Sequence, residues 1–343
     1  MKPSLVVSGS TDRTVRVWSS SKKLYSFGNV GNLRPVLEVF KFLSSKEVIR
    51  ISRVNKQFYE ASFHCEIHKP TFRQTQVLEG HTSGVKSVAV SQEVLVSGSV
   101  DSTIRVWSLA TGQLTHVLKG HSYWVCSVVV SSKAEYVVSA SSDKTLRVWS
   151  LVSGQTDLVL RGHSRPVMSV AISRRDQYIV SGSYDATVRV WSLSTGEVIR
   201  VLKGHSGVIW SVALSRNDLD IVSGSDDRTV RIWSLISGDL IRVLQGHSDW
   251  VYSVAISEQY VVSGSRDKTI RVWSLDSGES IRILKEHTGP VLSLNLSSDD
   301  KYLVSGGGGE DHVLRVWDLT EGEQTQVLRG HTSAVLSVDL FLR

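Results

Sequence analysis

An Arg-Val-Trp or Arg-Ile-Trp triplet followed by Ser or Asp occurs seven times in this chain of 343 residues, at Trp18, Trp107, Trp149, Trp191, Trp233, Trp273 and Trp317. From Trp107 onward the steps are 42, 42, 42, 40 and 44 residues. A single globular core does not repeat on such a period; stacked copies of one supersecondary unit do. Other residues keep the same phase. An Asp lies six residues before each of these Trp, at Asp12, Asp101, Asp143, Asp185, Asp227, Asp267 and Asp311. A Ser-Gly pair precedes each Asp, beginning at Ser8, Ser97, Ser181, Ser223, Ser263 and Ser305, with Ser139-Ala140 as the one variant. A Gly-His pair ends in His81, His121, His163, His205, His247 and His331, and Glu286-His287 fills the remaining place.

Within a unit, four short runs of β-formers are split by turn residues. One unit reads Val208–Leu214, Asp220–Ser223, Thr229–Trp233 and Leu240–Leu244. Each run is rich in Val, Ile and Leu and bounded by Gly, Ser, Asn or Asp, as strands are. Four antiparallel strands per unit describe a propeller blade, so the expected fold is all-β, a seven-bladed propeller. The last Gly-His is followed by one strand only, Val335–Phe341, while Leu5–Ser8 and Thr14–Trp18 supply strands with no innermost partner. Pairing the two ends would close the ring and leave no open edge.

The His, Ser, Asp and Trp at these spacings resemble the WD-repeat family, over all of the chain except one segment. Six units end in Trp-Ser, and only Trp317-Asp318 keeps the Asp of the family's name. The resemblance implies that the four polar residues of each unit join in a buried hydrogen-bonded chain. Buried polar groups left unpaired cost about 1–3 kcal/mol each, which is a reason for them to occur as a set.

The exception lies within a stretch from Asn32 to Glu79 that holds no Gly, and six of the seven Phe fall between residues 27 and 72. Leu33–Leu43 reads as a short helix, Ser44-Ser45-Lys46-Glu47 as a capping box, and Ile51, Val54, Phe58 and Ala61 follow at helical spacing. This small helical insertion resembles the F-box, a three-helix motif that docks onto the Skp adaptor of a cullin-type ubiquitin ligase. Leu33, Pro35, Phe40, Leu43, Val54 and Phe58 take the adaptor-binding positions in that resemblance. Arg34, Asn55 and Phe58 depart from its pattern. The expected organisation is 1–29 as N-terminal strands of the closing blade, 30–72 as the F-box-like insertion, and 73–343 as the remaining blades. Residues 73–79 fit the repeat without a gap as an outer strand, which places the insertion between third and fourth strands; Lys22–Phe27 is the alternative.

Catalysis is excluded by number: Ser, His and Asp recur seven times, and catalytic sites are not built in seven buried copies. No cofactor or metal is expected. His64-Cys65-x-x-His68 lacks the fourth ligand of a zinc site, and Gly306–Gly309 is followed by Glu310-Asp311 where a phosphate loop needs Lys-Ser. The net charge of +6 could attract nucleic acid only if clustered, but an Arg sits two residues before every repeat Trp, so the excess is spread around the ring. Two cysteines, Cys65 and Cys126, suit a reducing compartment, cytoplasm or nucleus. No apolar run has the length of a membrane span or a signal peptide.

Three tryptophans lie outside the repeat: Trp124, Trp210 and Trp250. Trp124 and Trp250 follow their His by three residues and Trp210 by five, so alternation points them to one end of the innermost strand. Lys86 and Tyr252 share the position of Trp210, and Tyr184 and Arg266 lie in turns expected at the same end. In the resembled family that rim binds proteins, and Trp, Tyr and Arg dominate binding hot spots. The predicted target-binding rim is Lys86, Trp124, Tyr184, Trp210, Trp250, Tyr252 and Arg266. The alternative is that each Trp plugs its own blade. The expected function is substrate recognition for a cullin-type ubiquitin ligase, with a protein scaffold lacking any ligase role as the second reading.

Overall fold

A computed structural model of the chain describes residues 4–20, 71–91 and 93–341. The insertion's expected helices, with Leu33, Pro35, Phe40, Leu43, Val54 and Phe58, lie outside the described residues, as do His64, Cys65 and His68.

Seven four-stranded antiparallel sheets are present, each paired in simple up-and-down order. We number the blades by their innermost strands: blade 1 from Val85–Ser91, blade 2 from Val125–Val130, blade 3 from Val167–Ile172, blade 4 from Ile209–Leu214, blade 5 from Val251–Ile256, blade 6 from Val291–Leu296 and blade 7 from Val335–Phe341. Blade 7 is completed by Leu5–Ser10, Val15–Ser20 and Phe72–Leu78, in that order outward. Val338 opposes Ser8 and Leu340 opposes Val6, so the two ends of the chain do share a sheet. The outer strand begins at Phe72, one residue earlier than expected; the Phe72 side chain is buried beside Trp18 and Leu328.

The Ser-Gly pair has a packing reason. In blade 3 a Cβ on Gly182 would lie 2.5 Å from Cγ2 of Ile209 on the next innermost strand. Blade 2 places Ala140 at this position, buried against Val167. Each core therefore lies between two blades, as in the cluster of Val180, Val188, Ile209, Ile221 and Trp233. A Ser six residues after each His ties neighbouring innermost strands together. Ser87 accepts from the Val128 amide at 3.0 Å, and Ser169 from the Val212 amide at 3.0 Å.

The irregular periods are turn lengths. The turn after the innermost strand spans Ser215 to Asp220 in blade 4 but only Ser257 to Tyr260 in blade 5, which accounts for the step of 40. The step of 44 comes from the Gly307-to-Val313 turn, where blade 5 closes Ser265 to Thr269.

Candidate functional site

The Ser, His and Asp of each unit do meet. In blade 3, His163 Nδ1 lies 2.7 Å from Asp185 Oδ2 and Nε2 lies 2.8 Å from Ser181 Oγ. The indole N–H of Trp191 donates to the same Ser181 Oγ at 2.8 Å. An indole N–H only donates, so the Ser oxygen accepts from Trp and its single hydroxyl proton goes to His Nε2. Nδ1 then carries the ring proton and donates to the Asp. All four groups are satisfied. Blade 7 builds its version across the ends of the chain, from Ser8, Asp12 and His331.

Connectivity alone would suit a hydrolase. The environment does not, because Ser181 has no accessible surface and its oxygen is already engaged by Trp191. Burial alone would raise the Asp185 carboxyl. Hydrogen bonds from His163 and Thr187 outweigh burial and hold it well below the usual carboxylate range. The same balance holds at Asp12, Asp101, Asp143, Asp227 and Asp267. These are structural anions that cap the turn: Asp185 also accepts from the amides of Ser164 and Thr187. Ala186 can therefore hold a left-handed φ of 62°.

That turn and the Gly-His loop share one rim, because a backbone bond joins them in each blade. Tyr184 donates to the Pro166 carbonyl, Asp226 to Val208 and Arg266 to Trp250. Tyr184, Trp210, Trp250, Tyr252 and Arg266 come together there. Trp210 stacks on Trp250 with centroids 6.4 Å apart and meets Tyr184 and Tyr252 edge-on at 5.3 and 5.4 Å. The Arg266 guanidinium sits 4.7 Å above the Trp250 ring and faces Asp249 at 3.7 Å. Trp210 donates its indole N–H to Asp226. Lys86 and Trp124 form a separate pair, with the ammonium 5.2 Å from the ring centroid. Trp124 is 48% exposed, against 2% for the repeat residue Trp233, so Trp124 does not plug its blade. Trp210, Trp250 and Tyr252 are half-buried and in ring contact with one another.

Sequence reasoning missed Tyr123, which is 62% exposed beside Trp124, and Asp249. Both lie two residues after a blade His, a position the family pattern leaves free. It also missed the polar groups that line the central channel. A cavity of 410 Å³ is lined by Ala89, Val129, Ala171, Ala213 and Ala255, with Asn295 and Asp339 among the apolar side chains. Asp339 accepts from the amides of Val90 at 2.7 Å and Leu340 at 2.9 Å, and from the Asn295 carboxamide at 2.5 Å. Burial pushes its carboxyl up to about 6, although the two amide bonds pull the other way. Among the described residues no cluster of His, Cys, Asp and Glu could hold a metal ion. No helix among them is long and apolar enough to cross a membrane.

A closed ring of seven blades, each with a hydrogen-bonded Ser, His and Asp, is a β-propeller, a fold that generally serves as a non-catalytic interaction scaffold. Seven segments, residues 2–19, 72–108, 112–150, 154–192, 196–234, 238–274 and 278–318, match the family described as WD domain, G-beta repeat (WD40). The chain belongs to that family. It is 33% identical to WD repeat-containing protein pop1 of Schizosaccharomyces pombe over 129 residues, 38% of this chain and 14% of the relative. It is 31% identical to cell division control protein 4 of Saccharomyces cerevisiae over 145 residues, 36% of this chain and 18% of the relative. It is 40% identical to pre-mRNA-splicing factor PRP46 of Saccharomyces cerevisiae over 75 residues, 21% of this chain and 16% of the relative. The matched stretches thus span less than a fifth of each of these three proteins.

Proposed function

We propose that the chain is a non-enzymatic substrate-recognition subunit of a cullin-type ubiquitin ligase, acting in the cytoplasm or nucleus. Its propeller rim captures a target protein, and its inserted segment docks onto the Skp adaptor. The observation that carries the rim half is the aromatic and arginine cluster around Trp210 and Trp250, which no blade needs for its own core. The adaptor half rests on the resemblance of residues 33–62 to the F-box, with Phe40 and Leu43 as contact residues. The likeness to cell division control protein 4 accords with a cell-cycle setting for this reading. A second reading, a scaffold of a multiprotein assembly with no ligase role, is supported by the likeness to splicing factor PRP46.

Binding of the full chain to purified Skp adaptor separates the two. The adaptor reading expects a complex at micromolar concentration that Phe40→Ala with Leu43→Ala abolishes, while the propeller's circular dichroism stays unchanged. No complex with the parent chain would leave the scaffold reading in its place.

A further inference from the structure

The chain's own cations already sit on two of the rim indoles. Lys86 covers Trp124 and Arg266 covers Trp250. Among the described residues no cation covers Trp210, which lies between Trp250 and Tyr184 at the centre of the cluster. Its neighbour Asp226 has no ion-pair partner among the described residues, whereas Asp249 faces Arg266. The site is therefore rich in unbalanced negative charge. Burial raises the Asp226 carboxyl, and the charges of Asp227 and Asp249 raise it further. Tyr184 is pushed up by burial and then by Asp226. Tyr252 is pushed up by burial and, despite Arg266, by Asp226 and Asp249.

Aromatic faces are negative, and a cation over an indole is held most firmly where carboxylates stand beside it. The fold shows this arrangement in Arg266, stacked on Trp250 with Asp249 alongside. We infer that Trp210, Asp226 and Tyr184 form a second seat of the same kind, which takes an arginine or lysine side chain of the bound protein. The partner is thus a protein that presents a basic segment to the rim. A cation placed there relieves the repulsion among Asp226, Asp227 and Asp249 and supplies Asp226 with the ion-pair partner it lacks among the described residues. This inference rests on the rim being the face that meets the target.

Short degenerate peptides with one fixed central residue test it against the full chain. The fixed residue is arginine, lysine, citrulline, glutamate or phosphoserine, and binding is read by fluorescence polarisation. Arginine and lysine pools are expected to bind about tenfold better than the neutral, nearly isosteric citrulline pool. Asp226→Asn keeps an acceptor for the Trp210 indole and removes the charge. It is expected to erase that preference with an unchanged melting temperature. Preference for glutamate or phosphoserine, lost in Trp250→Ala, would overturn the basic partner and keep the rim. Cation preference that survives Asp226→Asn would overturn this seat. Absence of binding by every pool, or binding indifferent to Trp250→Ala, would overturn both.

Discussion

Asp185 shows how much one repeated residue carries. Its carboxylate accepts from His163, from the amides of Ser164 and Thr187, and from the Thr187 hydroxyl at 2.6 Å. Asp185→Ala leaves these donors without their acceptor and should cost about 3 kcal/mol, read as a fall in the urea midpoint at constant slope. The pH dependence follows from the direction of the shift. A carboxyl depressed by folding stabilises fully above its ordinary value near 3.8, and that stabilisation is lost as pH falls toward the folded value. Six further repeat Asp are depressed in the same way, so unfolding should steepen below about pH 3.8. The tetrad was legible in the sequence because its members keep fixed spacings. Asp339 was not, since a lone Asp in a strand of alternating apolar residues gives no sign that three donors converge on it.

At the scale of strands and turns, position 182 is the tightest of the Ser-Gly joints between blades. A methyl group on Gly182 would meet Ile209 at 2.5 Å, so Gly182→Ala should destabilise by about 1–3 kcal/mol through forced movement of that strand. Thermal melts of Gly182→Ala measure this; Ala140 at the same place in blade 2 shows that a blade can be built around the methyl. Turn lengths were legible as irregular periods, but their consequences were not. Arg216 of blade 4 donates to the Ser297 carbonyl of blade 6 at 2.8 Å and lies 3.2 Å from Asp300. It passes over blade 5, whose turn is the shortened one. Such a reach depends on the placement of three blades, which spacing does not encode. The rim tells the same story. Alternation placed Trp210 and Tyr252 at one end of their strands, and the turn before the repeat Asp placed Asp226 there too, but Asp249 beside them became visible only through the curvature of the ring.

For the propeller as a whole, closure concentrates on Asp339, which bonds to Val90 of blade 1 and Asn295 of blade 6 from its place in blade 7. Its folded value of about 6 exceeds the ordinary 3.8, so its contribution is full below the ordinary value and is lost as pH rises through about 6. That loss amounts to roughly 3 kcal/mol between pH 4 and pH 8. Urea midpoints should fall across this range in the parent chain, and Asp339→Asn should flatten the fall. An equal slope in the variant would place the pH dependence elsewhere.

On the proposed function, the rim and the insertion hold different partners. The most direct measurement compares proteins captured from cell extract by the parent chain, by Trp250→Ala, and by Phe40→Ala with Leu43→Ala. Trp250 is half-buried among rings, so its removal should cost only about 1 kcal/mol of stability. Trp233→Ala, in the blade core, should cost about 3–5 kcal/mol. Trp250→Ala is expected to lose the target yet keep Skp adaptor and cullin, and the insertion variant is expected to do the reverse. Loss of the same proteins by both variants, or of none by Trp250→Ala, would contradict the proposed function.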